Sequence, residues 1–215
     1  IICILVDDLG YSDLSSFGGT DIRTPAIDSL MKAGLRLDQF YANCTVCTPT
    51  RASLLTGRYP DMVGAPGVIR QWPKDNWGYF KPSGPTLPDM MKKAGYHTGM
   101  VGKWHMGHLP RHLPITQGFD SYYGIPYSND MGRTAAATGK RVHPLLRDDK
   151  VAELLEYEGQ RRITREYTEE AVKFIEASAK ADKNFFLYLP HTAMHVPLYP
   201  HPDFAGKSKN GVYGD

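Results

Sequence analysis

The sequence predicts an α/β fold in which a mostly parallel sheet is sandwiched by helices. Three observations predict this class: strand-like and helix-like segments alternate, the first strand is a continuous aliphatic run, and the long loops follow strands or helix ends. With 215 residues, 41% of them hydrophobic, the chain is long enough for one domain with its own core, taken as residues 1–215.

Four segments are predicted to be strands, because aliphatic, β-branched or aromatic residues dominate them or alternate with polar ones. These segments are residues 1–6, 35–42, 96–102 and 184–189. The first is apolar throughout, a pattern that is typical of a parallel strand buried on both faces.

Four segments are predicted to be helices from their capping residues and apolar spacing. They are residues 24–34, 49–55, 86–94 and 165–181. In the first of them Thr24 is the cap, Pro25 lies in the first turn and Gly34 ends the helix. Segments 58–85 and 106–150 are rich in glycine, proline and aromatic residues and are predicted to be irregular.

Composition argues against several classes of protein. The formal net charge of +2 gives no reason to expect nucleic acid as a partner. No apolar run approaches the ~20 residues of a membrane-spanning helix, and three cysteines are too few for a disulfide scaffold. The chain begins within the first predicted strand and ends without a capping helix, which suggests a partial sequence. Nothing in the sequence indicates an oligomeric state.

Asp7 and Asp8 follow the first predicted strand directly. Because open α/β sheets bind ligands at the carboxyl ends of their strands, the pair lies at the edge of the sheet where a ligand site is expected. Two adjacent carboxylates repel each other, and a hard divalent cation with oxygen ligands would neutralise them. A solvated turn is the alternative explanation.

Cys47 immediately precedes a predicted helix, so free backbone N–H groups and the positive end of the helix dipole point at it. Arg51 adds a planar cation that can bind two oxygens of a tetrahedral anion. A nucleophile at residue 47 would then face a bound sulfate or phosphate. Two alternatives stay open: a buried cysteine before an ordinary helix, and a Cys-x-x-Cys pair with Cys44 acting as a redox dithiol or half of a zinc site.

Lys103 and His105 end the third predicted strand, and their spacing of two lets both side chains point the same way. Lysine would stabilise anionic oxygens, and histidine could move a proton near neutral pH. His191 and His195 follow the fourth predicted strand at the same edge. The prolines around them argue against the helix that a zinc-binding i,i+4 histidine pair requires. The alternative for Lys103 and His105 is that the Lys-Trp-His segment lies on the surface and forms no site.

Together these residues resemble the type I, formylglycine-dependent sulfatases of the alkaline-phosphatase-like superfamily. Residues 47–51 (Cys-Thr-Pro-Thr-Arg), with Thr-Gly at 56–57, are similar to the family's first signature. Residues 95–105, which end in Gly-Lys-Trp-His, are similar to the second. Residues 124–132 resemble the arylsulfatase A and N-acetylgalactosamine-6-sulfatase branch. The resemblance spans nearly the whole chain and implies the alkaline-phosphatase/sulfatase-like fold with its C-terminal part missing.

The resemblance implies hydrolysis of aryl or carbohydrate sulfate esters. Cys47 would be oxidised by a maturing enzyme to Cα-formylglycine, whose hydrate attacks sulfur and later eliminates sulfate from a covalent hemiester. Asp7, Asp8 and the modified residue 47 match ligands of a calcium ion. Arg51 matches the residue that holds the modified side chain.

The remaining motif residues match family residues that contact sulfate or move protons. Lys103 and His195 match groups that grip sulfate and assist the leaving oxygen. His105 matches the group that deprotonates the diol during elimination, and Ser128 matches a sulfate-contacting serine. His195 fits the family's His-x-Pro pattern, whereas His191 does not.

The sequence departs from the family downstream of His195. There the family completes its calcium site with an Asp-Asn pair and its sulfate site with a second lysine, and no segment here matches either. A phosphodiesterase or phosphonate monoester hydrolase of the same superfamily stays open as an alternative, as does an inactive anion-binding relative. By resemblance alone, the protein is expected to be secreted, periplasmic or lysosomal.

Overall fold

The computed structural model describes residues 1–72, 76 and 78–215. Residues 73–75 and 77, which belong to the predicted loop 58–85, lie outside the described residues. Within the described part the strands are β1 (Ile2–Leu5), β2 (His97–Val101), β3 (Ser121–Gly124), β4 (Arg133–Thr134), β5 (Arg141–Arg147), β6 (Lys150–Leu155) and β7 (Phe185–Pro190). The α-helices are α1 (Pro25–Ala33), α2 (Cys47–Thr56), α3 (Leu87–Lys93) and α4 (Tyr157–Lys180).

The strands form one mixed sheet in the order β1-β7-β2-β3-β5-β4, with β6 beside β5. β1, β7, β2 and β3 are parallel to one another. The sequence predicts β1, β2 and β7 as parallel strands, but β3 lies in a segment that it predicts to be irregular. β5 is antiparallel to β3, β4 and β6 and extends the sheet on one side. Because β1, β7 and β2 are parallel neighbours, the segments that follow them emerge at the same edge of the sheet.

Helices cover both faces of the sheet, which gives the expected sandwich. On one face, Tyr167 and Ala171 of α4 pack in a cluster with Val101 of β2. On the other face, Ala52 of α2 packs in a separate cluster with Met100. The neighbours Met100 and Val101 belong to opposite clusters because side chains alternate along a strand. None of the helices in the described ranges is both long and apolar enough to cross a membrane.

The predicted helices are all present, and local capping explains the start of α3 and the end of α2. In α3 the Thr86 side chain accepts a hydrogen bond from the Asp89 N–H, and the Asp89 side chain reaches back to the Thr86 N–H. α2 ends at Gly57, which adopts the left-handed conformation with φ of 64°. α4 begins at Tyr157, earlier than the predicted 165.

One strand prediction is wrong in part, and another is wrong. β1 forms as predicted, but it is an edge strand, and Ile2 and Ile4 are 48% and 53% exposed, so it is not buried on both faces. Segment 35–42 forms no strand, and Leu35 is 86% exposed. Its alternating pattern finds no neighbouring strand to pair with in the described residues, and an unpaired strand is not stable.

The irregular segment predicted at 106–150 contains β3, β4, β5 and the start of β6. β5 and β6 form a hairpin whose turn contains Asp148, a residue with φ of 58°. Aspartate tolerates this left-handed conformation, so the Asp-Asp pair between two apolar runs is the signal that predicts a hairpin here.

Candidate active site

The site lies where the segments after β1, β2 and β7 meet. The Asp7 N–H donates to the Ala193 carbonyl at 3.1 Å, and the Lys103 N–H donates to the Pro190 carbonyl at 2.8 Å. Gly102 permits this approach, because a Cβ there would lie 1.9 Å from the Pro190 oxygen. The topology therefore brings the sequence clusters at residues 7–8, 103–105 and 191–195 to one place.

Asp7 is the centre of a buried ionic network. Its Oδ2 accepts hydrogen bonds from Lys103 Nζ and from Arg51 Nη2, the latter at 3.2 Å. The side chains of Lys103 and Arg51 are 0% and 1% exposed. Arg51 Nη1 also donates to the Lys103 carbonyl at 2.7 Å, which fixes the guanidinium plane. One carboxylate thus serves two buried cations, and the surplus positive charge favours an anionic ligand.

Cys47 is the first residue of α2 and is half-buried. Burial raises the pKa of its thiol, and the charge of Asp7 also raises it, while Lys103 and Arg51 act in the opposite direction. The net effect keeps the thiol protonated near neutral pH, so the unmodified side chain is a poor thiolate nucleophile.

The start of α2 is fixed against the segment that carries His105. Thr48 Oγ1 donates to the His105 carbonyl at 2.7 Å and accepts from the Ile69 N–H at 3.2 Å. Thr50 Oγ1 donates to the Cys44 carbonyl at 2.5 Å, which ties the chain before the helix to its first turn. Residue 47 therefore has little freedom to move relative to the ionic network.

His105 is buried, and neither of its ring nitrogens has a hydrogen-bond partner among the described residues. Burial holds the pKa of His105 well below its ordinary value, and the nearby charges of Lys103 and Arg51 lower it further. The imidazole is therefore neutral at physiological pH. Its backbone φ of 59° marks a strained position, as is common at functional sites.

Asp8 and His195 form the solvent-facing rim of the site. The Asp8 side chain is 58% exposed, and its Oδ2 lies 3.9 Å from His195 Nε2. His195 Nδ1 lies 2.5 Å from the Val196 carbonyl, which orients the ring so that Nε2 faces Asp8.

Ser128 and Asn129 connect the network to this rim. Lys103 Nζ donates to Ser128 Oγ at 3.0 Å, and Ser128 Oγ donates to Asn129 Oδ1 at 3.3 Å. Asn129 Nδ2 donates to the carbonyls of His195 and Pro197, both at 3.0 Å. Asn129 was not among the residues predicted from the sequence, and its position beside Ser128 is the only signal that could have indicated it.

The geometry does not support two other hypotheses from the sequence, a zinc site that includes His191 and a site formed by Cys44 and Cys47. His191 packs against Tyr167, with ring centroids 6.4 Å apart, and burial lowers its pKa. Cys44 and Cys47 are both free thiols. Across the described ranges, no group of three or more histidine, cysteine or acidic side chains is arranged to hold a metal. Asp7 and Asp8 nevertheless supply the oxygen donors that calcium prefers, as part of a ligand set.

Comparisons with known proteins agree on one family. The Sulfatase family model matches residues 1–214. The chain belongs to the sulfatase family. It is 35% identical to human N-acetylgalactosamine-6-sulfatase over 227 residues, which covers 100% of this chain and 43% of that protein. The chain therefore spans less than half the length of such relatives.

Solved structures of the same family have the same fold as this chain. The crystal structure of PsFucS1 sulfatase from Pseudoalteromonas sp. matches with a TM-score of 0.79 and 28% identity, covering 99% of this chain and 48% of that one. The crystal structure of Ps i-CgsB in complex with k-i-k-neocarrahexaose matches with a TM-score of 0.76 and 33% identity, covering 91% and 45%.

The buried network predicts that substitutions of two adjacent aspartates of this sulfatase-family chain lower its free energy of unfolding by very different amounts. Asp7→Asn removes the shared counter-charge of Arg51 and Lys103, and we expect the free energy of unfolding to fall by about 3–5 kcal/mol. Asp8→Asn is the matched control, because its carboxylate is exposed, and we expect little change. Urea denaturation of both variants in chelator-containing buffer measures this, and equal losses of stability would contradict the network's role.

Proposed function

We propose that residues 1–215 are the N-terminal part of a catalytic domain that hydrolyses sulfate esters. The observation that carries the proposal is the surplus of buried positive charge beside residue 47, where Lys103 and Arg51 share the single carboxylate of Asp7. Membership of the sulfatase family supports sulfate as the anion.

The sulfate group would bind through groups that the structure already orients. Lys103 Nζ has Asp7 and Ser128 as its partners and would supply buried positive charge close to the sulfate. The free N–H groups at the start of α2 add partial positive charge on the side of residue 47. These donors are fixed before the substrate arrives, so they stabilise charge that develops on the sulfate oxygens without reorganising.

We propose that a maturing enzyme converts Cys47 to Cα-formylglycine, which would supply an oxygen nucleophile at this position. The protonated thiol of unmodified Cys47 fits this requirement, because the thiol itself is not activated. Arg51, held by two hydrogen bonds below the first turn of α2, would keep positive charge beside the modified side chain.

Two histidines would move protons on different sides of the site. His105 is neutral and buried, so it would accept a proton from the group at residue 47. His195 lies at the solvent-facing rim, where the alcohol would leave, and would donate a proton to the leaving oxygen. Asn129 would act as a positioning residue for His195 through the backbone carbonyl that it binds.

Asp7 and Asp8, together with the modified residue 47, would hold a calcium ion. Their donor chemistry fits, because carboxylate oxygens are the ligands that calcium prefers. The ion would add positive charge that polarises a sulfate oxygen. Asp7 would then serve both the ion and the two buried cations.

We propose a sulfated carbohydrate as the substrate class. The relative human N-acetylgalactosamine-6-sulfatase is named for a sulfated amino sugar, and Ps i-CgsB was crystallised with an oligosaccharide.

The proposed nucleophile predicts a chemical difference between two neighbouring cysteines. After co-expression with a formylglycine-generating enzyme, we expect residue 47 to show the mass loss of thiol-to-aldehyde conversion, while Cys44 in the same tryptic peptide remains a thiol. Cys47→Ala should lower kcat for 4-nitrophenyl sulfate by at least ~10³-fold. Cys44→Ala is the control and should keep wild-type activity. An active protein with an unmodified thiol at residue 47 would refute the proposed nucleophile.

The anion itself can be tested with substrates that share one leaving group. We expect the full-length protein that contains this chain to hydrolyse 4-nitrophenyl sulfate with a higher kcat/KM than 4-nitrophenyl phenylphosphonate. The expected result identifies sulfate as the preferred anion. The opposite order would assign the chain to the phosphonate-hydrolysing alternative, and no turnover of either would support the inactive anion-binding alternative.

A further inference from the structure

Residues 206–215 contact the loop that carries Asp8, although they lie far from it in the sequence, and the proposed chemistry does not use them. Asp21 fastens this segment, because its carboxylate accepts hydrogen bonds from the N–H groups of Lys209 and Asn210, at 3.0 and 3.1 Å. The segment is therefore fixed against the part of the chain that follows β1, and its other contacts have a defined place.

Tyr213 is the residue of this segment that reaches the Asp8 loop. Its hydroxyl donates to Asp13 Oδ2 at 2.6 Å and lies 3.1 Å from the Asp8 carbonyl oxygen, so one proton is shared between two acceptors. Asp13 Oδ2 also accepts a hydrogen bond from the Gly10 N–H at 2.7 Å. This pair of side chains, the Tyr213–Asp13 clamp, therefore holds the backbone at residues 8 and 10.

The backbone of Asp8 has a conformation that depends on support from its surroundings. Its φ of 56° lies in the left-handed region, which a residue with a side chain seldom adopts unless neighbouring groups hold it there. The Asp8 side chain gives little support of its own, because it is 58% exposed and its nearest charged partner among the described residues is His195, at 3.9 Å. Asp7, in contrast, is held by the buried ionic network and by a backbone hydrogen bond to Ala193.

We propose that Tyr213 is a positioning residue for Asp8. Its hydroxyl, together with Asp13, holds Asp8 in the left-handed conformation, in which the carboxylate lies beside His195 at the rim of the candidate active site. The inference rests on the proposed function for its consequence, because a carboxylate that is fixed in advance binds calcium more tightly than a mobile one. Tyr213 acts through Asp8 and takes no part in the chemistry itself.

The first test measures calcium binding to the chelator-treated full-length protein by titration calorimetry. Tyr213→Phe removes the hydroxyl and keeps the ring, and we expect calcium to bind about ten-fold more weakly, as for the loss of a hydrogen bond to a charged group. Tyr11→Phe is the matched control, because Tyr11 is 64% exposed in the same loop and stacks on Phe17, a contact that phenylalanine keeps. This control should bind calcium as the wild type does. Equal calcium affinity of Tyr213→Phe and the wild type overturns the proposal.

A double-mutant cycle separates positioning of Asp8 from a general loss of structure. Asp8→Ala removes the carboxylate that Tyr213 is proposed to position. In that background we expect Tyr213→Phe to change the remaining calcium affinity by at most about two-fold. The same ten-fold loss in both backgrounds would show that Tyr213 does not act through Asp8, and it would overturn the proposal.

Hydrogen exchange tests the clamp without calcium and so separates it from the proposed function. In chelator-containing buffer, we expect the peptide that spans residues 7–13 to exchange about ten-fold faster in Tyr213→Phe than in the wild type, because the loop opens more often once the hydroxyl is lost. If the protein binds no calcium and this difference is present, the proposed calcium site is wrong and the positioning role of Tyr213 stands. Equal exchange rates overturn the positioning role.

Discussion

The sharing of one buried carboxylate by two buried cations is the constraint on which the rest of the site depends. Lys103 and Arg51 could not be buried without a counter-charge, because an unpaired ion inside a protein costs several kcal/mol. Asp7 supplies that charge, and in doing so it joins β1, α2 and the segment after β2. The side chains of Arg51 and Lys103 carry two positive charges, and the one carboxylate of Asp7 balances only one of them.

Several other features of the site follow from this electrostatic arrangement. Burial and the charges of Lys103 and Arg51 together lower the pKa of His105, so its imidazole stays neutral beside two cations. The same charges act on Cys47, but burial outweighs them and the thiol stays protonated. The site therefore lacks an activated thiolate, which agrees with a chemistry that depends on modification of residue 47.

Local signals in the sequence predict much of the fold. The capping residues of α3 and the glycines after α1 and α2 indicate where these helices begin or end, and β1, β2 and β7 follow from their own composition, because these features depend on neighbours in the chain. The convergence of Asp7, Lys103 and His195 is also predictable, since adjacent parallel strands end at one edge. The burial of β1 and the pairing of segment 35–42 depend on neighbouring segments in space that are distant in the sequence. That information is not local, and both predictions failed.

The residues that escaped prediction act through distant contacts. Asn129 binds the carbonyls of His195 and Pro197, which lie far away in sequence, so no local pattern identifies it. Gln71 contacts the Met131 carbonyl and the Arg133 side chain across a similar distance in sequence. The β5–β6 hairpin was missed because Pro144 and the surrounding glycines suggested an irregular segment, although Pro144 lies within β5.

A double-mutant cycle between Asp7→Asn and Lys103→Met tests the central claim most directly. Each single variant leaves a buried charge or polar group without its partner, whereas the double variant removes both sides of the contact. If the ionic network organises the site, the double variant will lose less unfolding free energy than the two single variants lose together. We expect this difference to be at least about 1.5 kcal/mol. Additive losses would contradict the account.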